Sequence, residues 1–438
     1  MTEVQVEMGG FARRSFLKGG AAAAGGLAIA GPLQALAVRS AMGAPIRGEG
    51  YGPLVDKGDL ALPRGFRYRV ISRSGAEMSD GGATPTRFDG MAAFRRSDGR
   101  VVLIRNHENR GDEGDIPVNV PPDKQYDSVF TAGCTKLIVS PDRRTITEFA
   151  VLGGTSTNCA GGRTPWGTWI TCEEIFTDGD EPHGYIFEID ASTGVPVEPV
   201  PVRAAGRFVH EAVAWAHGRL YLTEDQRFDS AFYRYTPDRE PSKQLGLPLT
   251  GTLEALKFVD FDNANTDGWP VGEPFKVEWV TIDNPDSTSD DLRDQAQDND
   301  AAAFNRTEGA WTSNGRVFFD TTEGGVAGLG QIWEYNPGRE LLTLIYESPN
   351  PEELKNPDNL TVGFDGNLYL CEDSVEPQFI RGLTPDGEIF DFARAITNQS
   401  EFCGATFDRN GQTLFVNQQG DSLEVPGVTY AIWGPFGE

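Results

Sequence analysis

Short apolar runs alternate with turn residues along most of the chain, and they recur as one unit. Each unit begins at a polar residue, enters a short apolar strand, turns at a glycine, and returns through a second strand ending in acids. Asp89-Gly90-Met91-Ala92 leads to the turn Asp98-Gly99 and then to VVLIRNHE, ending at Glu108. Cys159 leads to Trp166-Gly167 and TWITCEE, and Glu211 leads to His217-Gly218 and RLYLTED. Glu308 leads to Asn314-Gly315 and RVFFDTTE, and Asn359 leads to Asp365-Gly366 and NLYLCED. Cys403 leads to Asn410-Gly411 and QTLFVNQQ, where amides replace the acids. Asp-Gly and Asn-Gly between apolar runs predict hairpins, because both residues accept a positive φ. Third strands are expected at 185–190 (YIFEID), 231–237 (AFYRYTP) and 331–337 (QIWEYNP). Strand units repeating without helices between them predict an all-β fold, a six-bladed β-propeller, with a β-sandwich as the alternative. The widest gap between turn glycines, Gly218 to Gly315, holds a polar acidic run from Asp283 to Asp300 that is expected to form a long surface loop.

In every unit the first strand starts where the second one ends. With these ends at a propeller axis, two columns of polar residues converge on one channel mouth. The first-strand column reads Asp89, Cys159, Glu211, Glu308, Asn359 and Cys403. The second-strand column offers Asn106, His107, Glu108, Glu173, Glu174, Glu224, Asp225, Glu323, Glu372 and Asp373. So many carboxylates cannot be buried ionised without opposite charge, and metal ions supply it most simply. Carboxylate and amide oxygens suit calcium, whereas the Cys159 thiolate suits a transition metal. Arg306 precedes Glu308 by two residues, which places both on one strand face. It is either the acids' salt-bridge partner or a bidentate clamp for an oxyanion, the second suiting phosphoryl transfer to water.

Blander readings stand beside these. Cys159 and Cys172 could form a cross-strand disulfide, and Cys371 and Cys403 read as buried thiols or a disulfide. Trp166, Trp169, Trp215 and Trp311 read as packing residues. The histidines number 4, too few to favour a dizinc site, and neither a GxSxG elbow nor a phosphate loop after Gly153-Gly154 is present.

Composition narrows the partners. The 438-residue chain carries a formal charge of −27. Such a surface repels nucleic acid and anionic lipid, so neither is expected as a partner. No apolar run is long and clean enough for a transmembrane helix in the mature chain, so no stable membrane anchor is expected. Residues 1–45 read as a leader: Arg13-Arg14 precedes an Ala/Gly-rich apolar run from Gly19 to Ala37, as in a Tat signal. Residues 46–438 then form a single catalytic domain, exported by the Tat translocon to the periplasm or the medium. The 5 cysteines are an odd number, which leaves at least one thiol free or bound to metal.

These residues resemble a known family. TNCAGGRTPWGTWITCEE (157–174) is similar to the hallmark of the PhoX-type alkaline phosphatases, and GRFVHEA (206–212), YLTEDQ (221–226), RTEGAW (306–311), PDNL (357–360) and CED (371–373) match its other segments. The resemblance spans roughly residues 50–435. It implies a six-bladed propeller, Tat export, a cofactor of iron and calcium ions, and hydrolysis of small-molecule phosphate monoesters by a protein expected to be monomeric. It implies Cys159 as a thiolate iron ligand. Glu173, Glu174, Glu211, Glu308, Glu372 and Asp373 would hold iron or calcium, with Glu108, Glu224, Asp225 and Asn359 as further ligands. Arg306 would grip the substrate phosphate, with Asn106 beside it. Two rivals remain: a calcium-dependent propeller hydrolase of another ester class, lactonase- or phosphotriesterase-like, and a non-catalytic propeller stabilised by calcium.

Overall fold

A computed structural model describes residues 48, 50–144 and 146–437; the expected leader lies outside them. The described chain is all-β apart from short helical turns. It opens with β1 (Leu54–Asp56), β2 (Leu60–Pro63) and β3 (Arg67–Arg73). A four-stranded antiparallel meander follows: β4 (Phe88–Arg95), β5 (Val101–His107), β6 (Ala132–Val139) and β7 (Ile146–Thr155). The second has three strands, β8 (Asn158–Arg163), β9 (Thr168–Glu173) and β12 (Ile186–Asp190), with the small hairpin β10 (Thr177–Asp178) and β11 (Pro182–His183) inserted. The third is β13 (His210–Ala216), β14 (Arg219–Glu224), β15 (Phe232–Pro237), β16 (Gly251–Phe258) and β17 (Pro274–Thr281). The fourth is β18 (Thr307–Ser313), β19 (Arg316–Thr321), β20 (Gln331–Asn336) and β21 (Leu341–Glu347). The fifth is β22 (Pro357–Val362), β23 (Leu368–Glu372), β24 (Phe379–Leu383) and β25 (Ile389–Ala395), and the sixth is β26 (Phe402–Phe407), β27 (Thr413–Gln418) and β28 (Val428–Trp433).

The N-terminal strands bind the ends together. β3 pairs antiparallel with β28, so that Arg73 faces Val428 and Arg67 faces Trp433. β2 extends the fifth meander at β25. Buried Arg105 fastens this closure: its guanidinium donates to Ser72 Oγ (3.0 Å) and Thr429 Oγ1 (2.8 Å), and pairs with Glu148. The first strands β4, β8, β13, β18, β22 and β26 neighbour one another in chain order, and β26 neighbours β4. The arrangement is therefore propeller-like around a central axis.

Two features depart from independent meanders. The third and fourth are joined, because β17 pairs with both β16 and β21. The insertion between Gly218 and Gly315 contributes β16 and β17, and the run from Asp283 to Asp300 expected as a surface loop includes the short helix Leu292–Gln297.

Strand alternation sends large apolar side chains into the gaps between sheets rather than to the axis. Phe232 of β15 stacks on Phe319 of β19 at 4.2 Å, and Tyr221, Trp333 and Tyr335 fill the same layer. The axis is lined by small residues instead. A Cβ on Gly90 would lie 2.5 Å from Ala160 Cα, and one on Gly309 would lie 2.6 Å from Asp358 O, so only glycine permits these approaches.

Candidate metal centre

The first and second strands of each meander pair at a shared position: Phe88 with His107, Asn158 with Glu173, His210 with Glu224, Thr307 with Thr321, Pro357 with Glu372, and Phe402 with Gln418. At or next to each of these pairs the register slips by a bulge. A bulge inserts a residue and re-aims its side chain, often beside an active site. The residues that follow the paired positions on the first strands are Asp89, Cys159, Glu211, Glu308, Asp358 and Cys403. On the second strands they are Glu108, Glu174, Asp225, Thr322, Asp373 and Gln419.

These side chains converge. Three sets each bring ligand atoms within 4.8 Å of one another: Asp89, Glu401 and Cys403; Glu108, Cys159 and Glu174; Glu211, Glu308 and Asp358. Cys159 Sγ donates to Asp89 Oδ2 at 3.6 Å. Gln419 Nε2 bridges Asp89 Oδ2 (3.1 Å) and Glu108 Oε2 (2.6 Å). Asp225 interacts with Glu174 and Glu308, and Asp373 with Asp358 and Glu401. Nine carboxyl groups thus share the site with two guanidinium groups, Arg110 and Arg306.

The electrostatic consequence is uniform. Burial pushes the Asp89 carboxyl up, reinforced by the charges of Glu108 and Asp358. Burial raises Glu211, helped by Asp358 and Asp89, and raises Glu308, helped by Asp225 and Asp358. Glu174 and Glu401 move the same way for the same reasons. Asp358 is pushed up to about 6, chiefly by burial. Burial and then Asp89 hold the Cys159 thiol well above its usual range. Without cations the cluster favours protonated, neutral ligands.

Several expected residues take other places. Glu173 is fully occupied: Oε1 accepts from Ser156 N (2.9 Å) and His183 Nδ1 (2.6 Å), Oε2 from Gly184 N (2.9 Å) and Tyr185 N (3.2 Å). Burial opposes charge on His183, but hydrogen bonds to Glu173 and Asp127 outweigh it and raise its proton affinity. Glu224 accepts from Ala231 N and Tyr233 OH and lies 3.5 Å from Arg293, and burial pushes it up to about 7. Glu372 accepts from Lys355 N and Arg381 Nε, and is likewise pushed up to about 7 by burial. These three glutamates anchor loops behind the mouth, one residue before the acids that face it. Asn106 is also saturated: its Nδ2 donates to Cys159 O (2.9 Å) and Ala160 O (2.6 Å), while Oδ1 accepts from Trp169 Nε1 and Thr171 Oγ1. It tethers the backbone of Cys159 rather than presenting a free amide.

In the fifth meander the structure replaces Asn359 by Asp358. The bulge between Pro357 and Asn359 turns Asp358 into the cluster, and Asn359 Oδ1 accepts from Gly404 N at 2.8 Å. Counting one residue per repeat misses this slip, although an acid beside the counted amide was visible. Glu401 was missed because it precedes Cys403 by two residues, the spacing already noted for Arg306 and Glu308. Arg110 was missed as well; it pairs with Glu108 and stands half-exposed at the rim. Cys134, Cys159, Cys172, Cys371 and Cys403 are all free and buried, so the disulfides weighed above do not form.

Arg306 meets Glu308 as strand alternation predicts, with NH2 lying 2.7 Å from Glu308 Oε1. Its Nε and NH2 also donate to Asp225 Oδ1 (2.8 Å) and Oδ2 (3.2 Å). NH1 has only a 3.5 Å contact with Glu323. The residue sits at φ 55° immediately before β18, an uncommon conformation for a non-glycine residue and a kind that concentrates at functional sites.

A family model described as Alkaline phosphatase PhoX matches residues 49–421. No curated protein sequence matches the chain. Among solved structures, Pseudomonas fluorescens PhoX in complex with vanadate, a transition state analogue, is similar at a TM-score of 0.66 and 17% identity, covering 88% of this chain and 97% of that one. Virginiamycin B lyase from Staphylococcus aureus with quinupristin is similar at a TM-score of 0.42 and 13% identity, covering 84% and 99%. A gluconolactonase from Xanthomonas campestris is similar at 0.43 and 14% identity, covering 88% and 98%.

Proposed function

The chain belongs to the alkaline phosphatase PhoX family, and from that premise we propose that it hydrolyses phosphate monoesters outside the cytoplasm, using iron and calcium held by the acid-lined mouth. The observation that carries this reading is the set of buried carboxylate oxygens without partners. Both oxygens of Glu211 and Oδ1 of Asp89 are buried and accept no hydrogen bond. Buried acceptors are ordinarily satisfied, so such orphans fit a site built around cations. The donor chemistry fits both ions: Cys159 with Glu108 and Glu174 mixes thiolate and carboxylate, as iron accepts, whereas Glu211, Glu308 and Asp358 offer hard oxygens, as calcium prefers. Asp89, Glu401 and Cys403 form the third set.

When bound, such cations polarise a phosphoryl oxygen and neutralise the charge on phosphate. The chain's own residues orient the substrate. Asp225 and Glu308 fix the Arg306 guanidinium from two sides, leaving NH1 to donate to a phosphate oxygen. Arg110, on the rim beside Glu108, supplies a second positive charge facing an incoming dianion. That the similar Pseudomonas fluorescens protein forms a complex with vanadate, a transition state analogue, supports an oxyanion substrate for this chain.

We read the six meanders as six blades and the N-terminal Arg13-Arg14 segment as the Tat export signal. No helix among the described residues is long and apolar enough to cross a membrane. The small-molecule substrate and a monomeric state complete the reading. Hydrolysis of a monoester, read as phosphate release, of a triester, read as alcohol release, and of a lactone, read as acid release, by protein stripped of metal and then reloaded tests it. Monoester turnover restored by iron with calcium is expected. Turnover of the lactone or triester alone, restored by calcium alone, would favour the rival hydrolase.

A further inference from the structure

The family hallmark carries the metal-site cysteine at one end, but its turn, Arg163-Thr164-Pro165-Trp166, lies at the other. There the far ends of the first strands open into a cavity of about 790 Å³. Asp89 and Arg95 are six residues apart along β4, or about 20 Å at strand rise. Between the two mouths the glycine and alanine girdle leaves a void of about 10 Å³, room for no more than a single water. The far cavity is therefore a separate compartment.

Its charge is opposite to that of the molecule. In a chain with 65 acids and 38 basic residues, this lining holds Arg95, Arg96, Arg163, Lys243 and Arg409 against one acid, Asp190. Arg96 is paired with Asp98 (3.0 Å), and Asp190 Oδ1 already accepts from Ser192 N. No carboxylate lies within ion-pair distance of Arg95, Arg163, Lys243 or Arg409 among the described residues. Arg163 lies over the Trp311 ring at 5.0 Å, and its surroundings lower its proton affinity by desolvation alone, with no acid to offset it. Trp215 provides a second aromatic wall, held edge-on by Trp166 at 4.9 Å. Unpaired, solvent-exposed guanidiniums around an open, aromatic-walled cavity are arranged to receive oxyanions.

We propose that this opposite mouth is a second binding site, for a small oligophosphate that engages Arg163, Arg95, Arg409 and Lys243 together. The site is independent of the metal centre and is not required for turnover. Its span accepts several phosphate groups, which a single monoester phosphate does not use. The probe is inorganic tripolyphosphate, titrated calorimetrically into the metal-loaded full-length mature chain at low and raised salt.

Saturable binding that weakens with salt is expected. Arg163→Gln with Arg409→Gln should weaken it about a hundredfold, at roughly tenfold for each charge-assisted contact. Arg163→Lys, which keeps the charge and loses the fork, should weaken it less than Arg163→Gln. Arg306→Ala, at the metal mouth, should leave the affinity unchanged, and Arg163→Gln should leave monoester kcat/KM unchanged. The proposal is overturned if tripolyphosphate does not bind, if Arg306→Ala abolishes binding while the double variant keeps it, or if Arg163→Lys and Arg163→Gln lose equally.

Discussion

Replacing Arg306 with alanine separates substrate binding from metal binding more sharply than any other single change. A guanidinium has five N–H donors. In this structure Nε and NH2 are committed to Asp225 and Glu308, and NH1 has only the 3.5 Å contact with Glu323. A phosphate oxygen therefore gains up to two charge-assisted hydrogen bonds from NH1. At about 1.5 kcal/mol each, their loss is about 3 kcal/mol, or roughly a hundredfold in kcat/KM. The metals should stay, because a guanidinium binds no cation. Calcium should even bind more tightly, since Asp225 and Glu308 lose a competing positive charge. Glu308→Gln should do the reverse, weakening calcium while keeping the shape of the ligand. The assay is phosphomonoester turnover against calcium concentration for both variants, with metal content measured in parallel. Excess calcium should partly rescue Glu308→Gln and do nothing for Arg306→Ala. If both respond alike, or if Arg306→Ala keeps full activity, the clamp assigned to Arg306 is wrong.

Other outcomes follow from the same geometry. Cys159→Ser should lose iron and activity while the Trp166-Gly167 hairpin still folds; full iron content by elemental analysis would make Cys159 a packing residue. Asp358→Asn should weaken metal binding about tenfold or more, whereas Asn359→Ala should cost about 1 kcal/mol of stability through the lost Gly404 bond and leave metal affinity intact; equal metal loss in titrations would refute the register slip. In chelated protein Asp358 titrates at about 6 instead of its ordinary 3.8, so the folded state holds the extra proton and this group's penalty grows as pH rises between those values. Asp89, Glu211 and Glu308 shift in the same direction, so the melting temperature of chelated protein should fall from about pH 4 to 8, and that of loaded protein should not. Arg13→Lys with Arg14→Lys should leave precursor in the cytoplasm, and normal export in a fractionation assay would remove the Tat reading.

Much of this was legible because hairpin chemistry is local. The turns at Asp98-Gly99, Asn314-Gly315 and Asn410-Gly411 fixed where strands start and end, and hence which polar residues meet at one mouth. What the chain hid was set by the bulges. The slip between Pro357 and Asn359 exchanges one candidate for its neighbour, and the paired position takes Glu173, Glu224 and Glu372 behind the mouth while Glu174, Asp225 and Asp373 enter it. Adjacent acids such as Glu173-Glu174 are indistinguishable by composition; only the loop amides that saturate the first of them decide. Closure by β3 and the junction of β17 with β21 depend on long-range pairing that no local pattern announces.

Elemental analysis of the purified, active protein bears most directly on whether the acid-lined mouth is a metal centre. Iron together with calcium, with the iron lost in Cys159→Ser, is the predicted result. Calcium without iron, or active protein free of both metals, would contradict it.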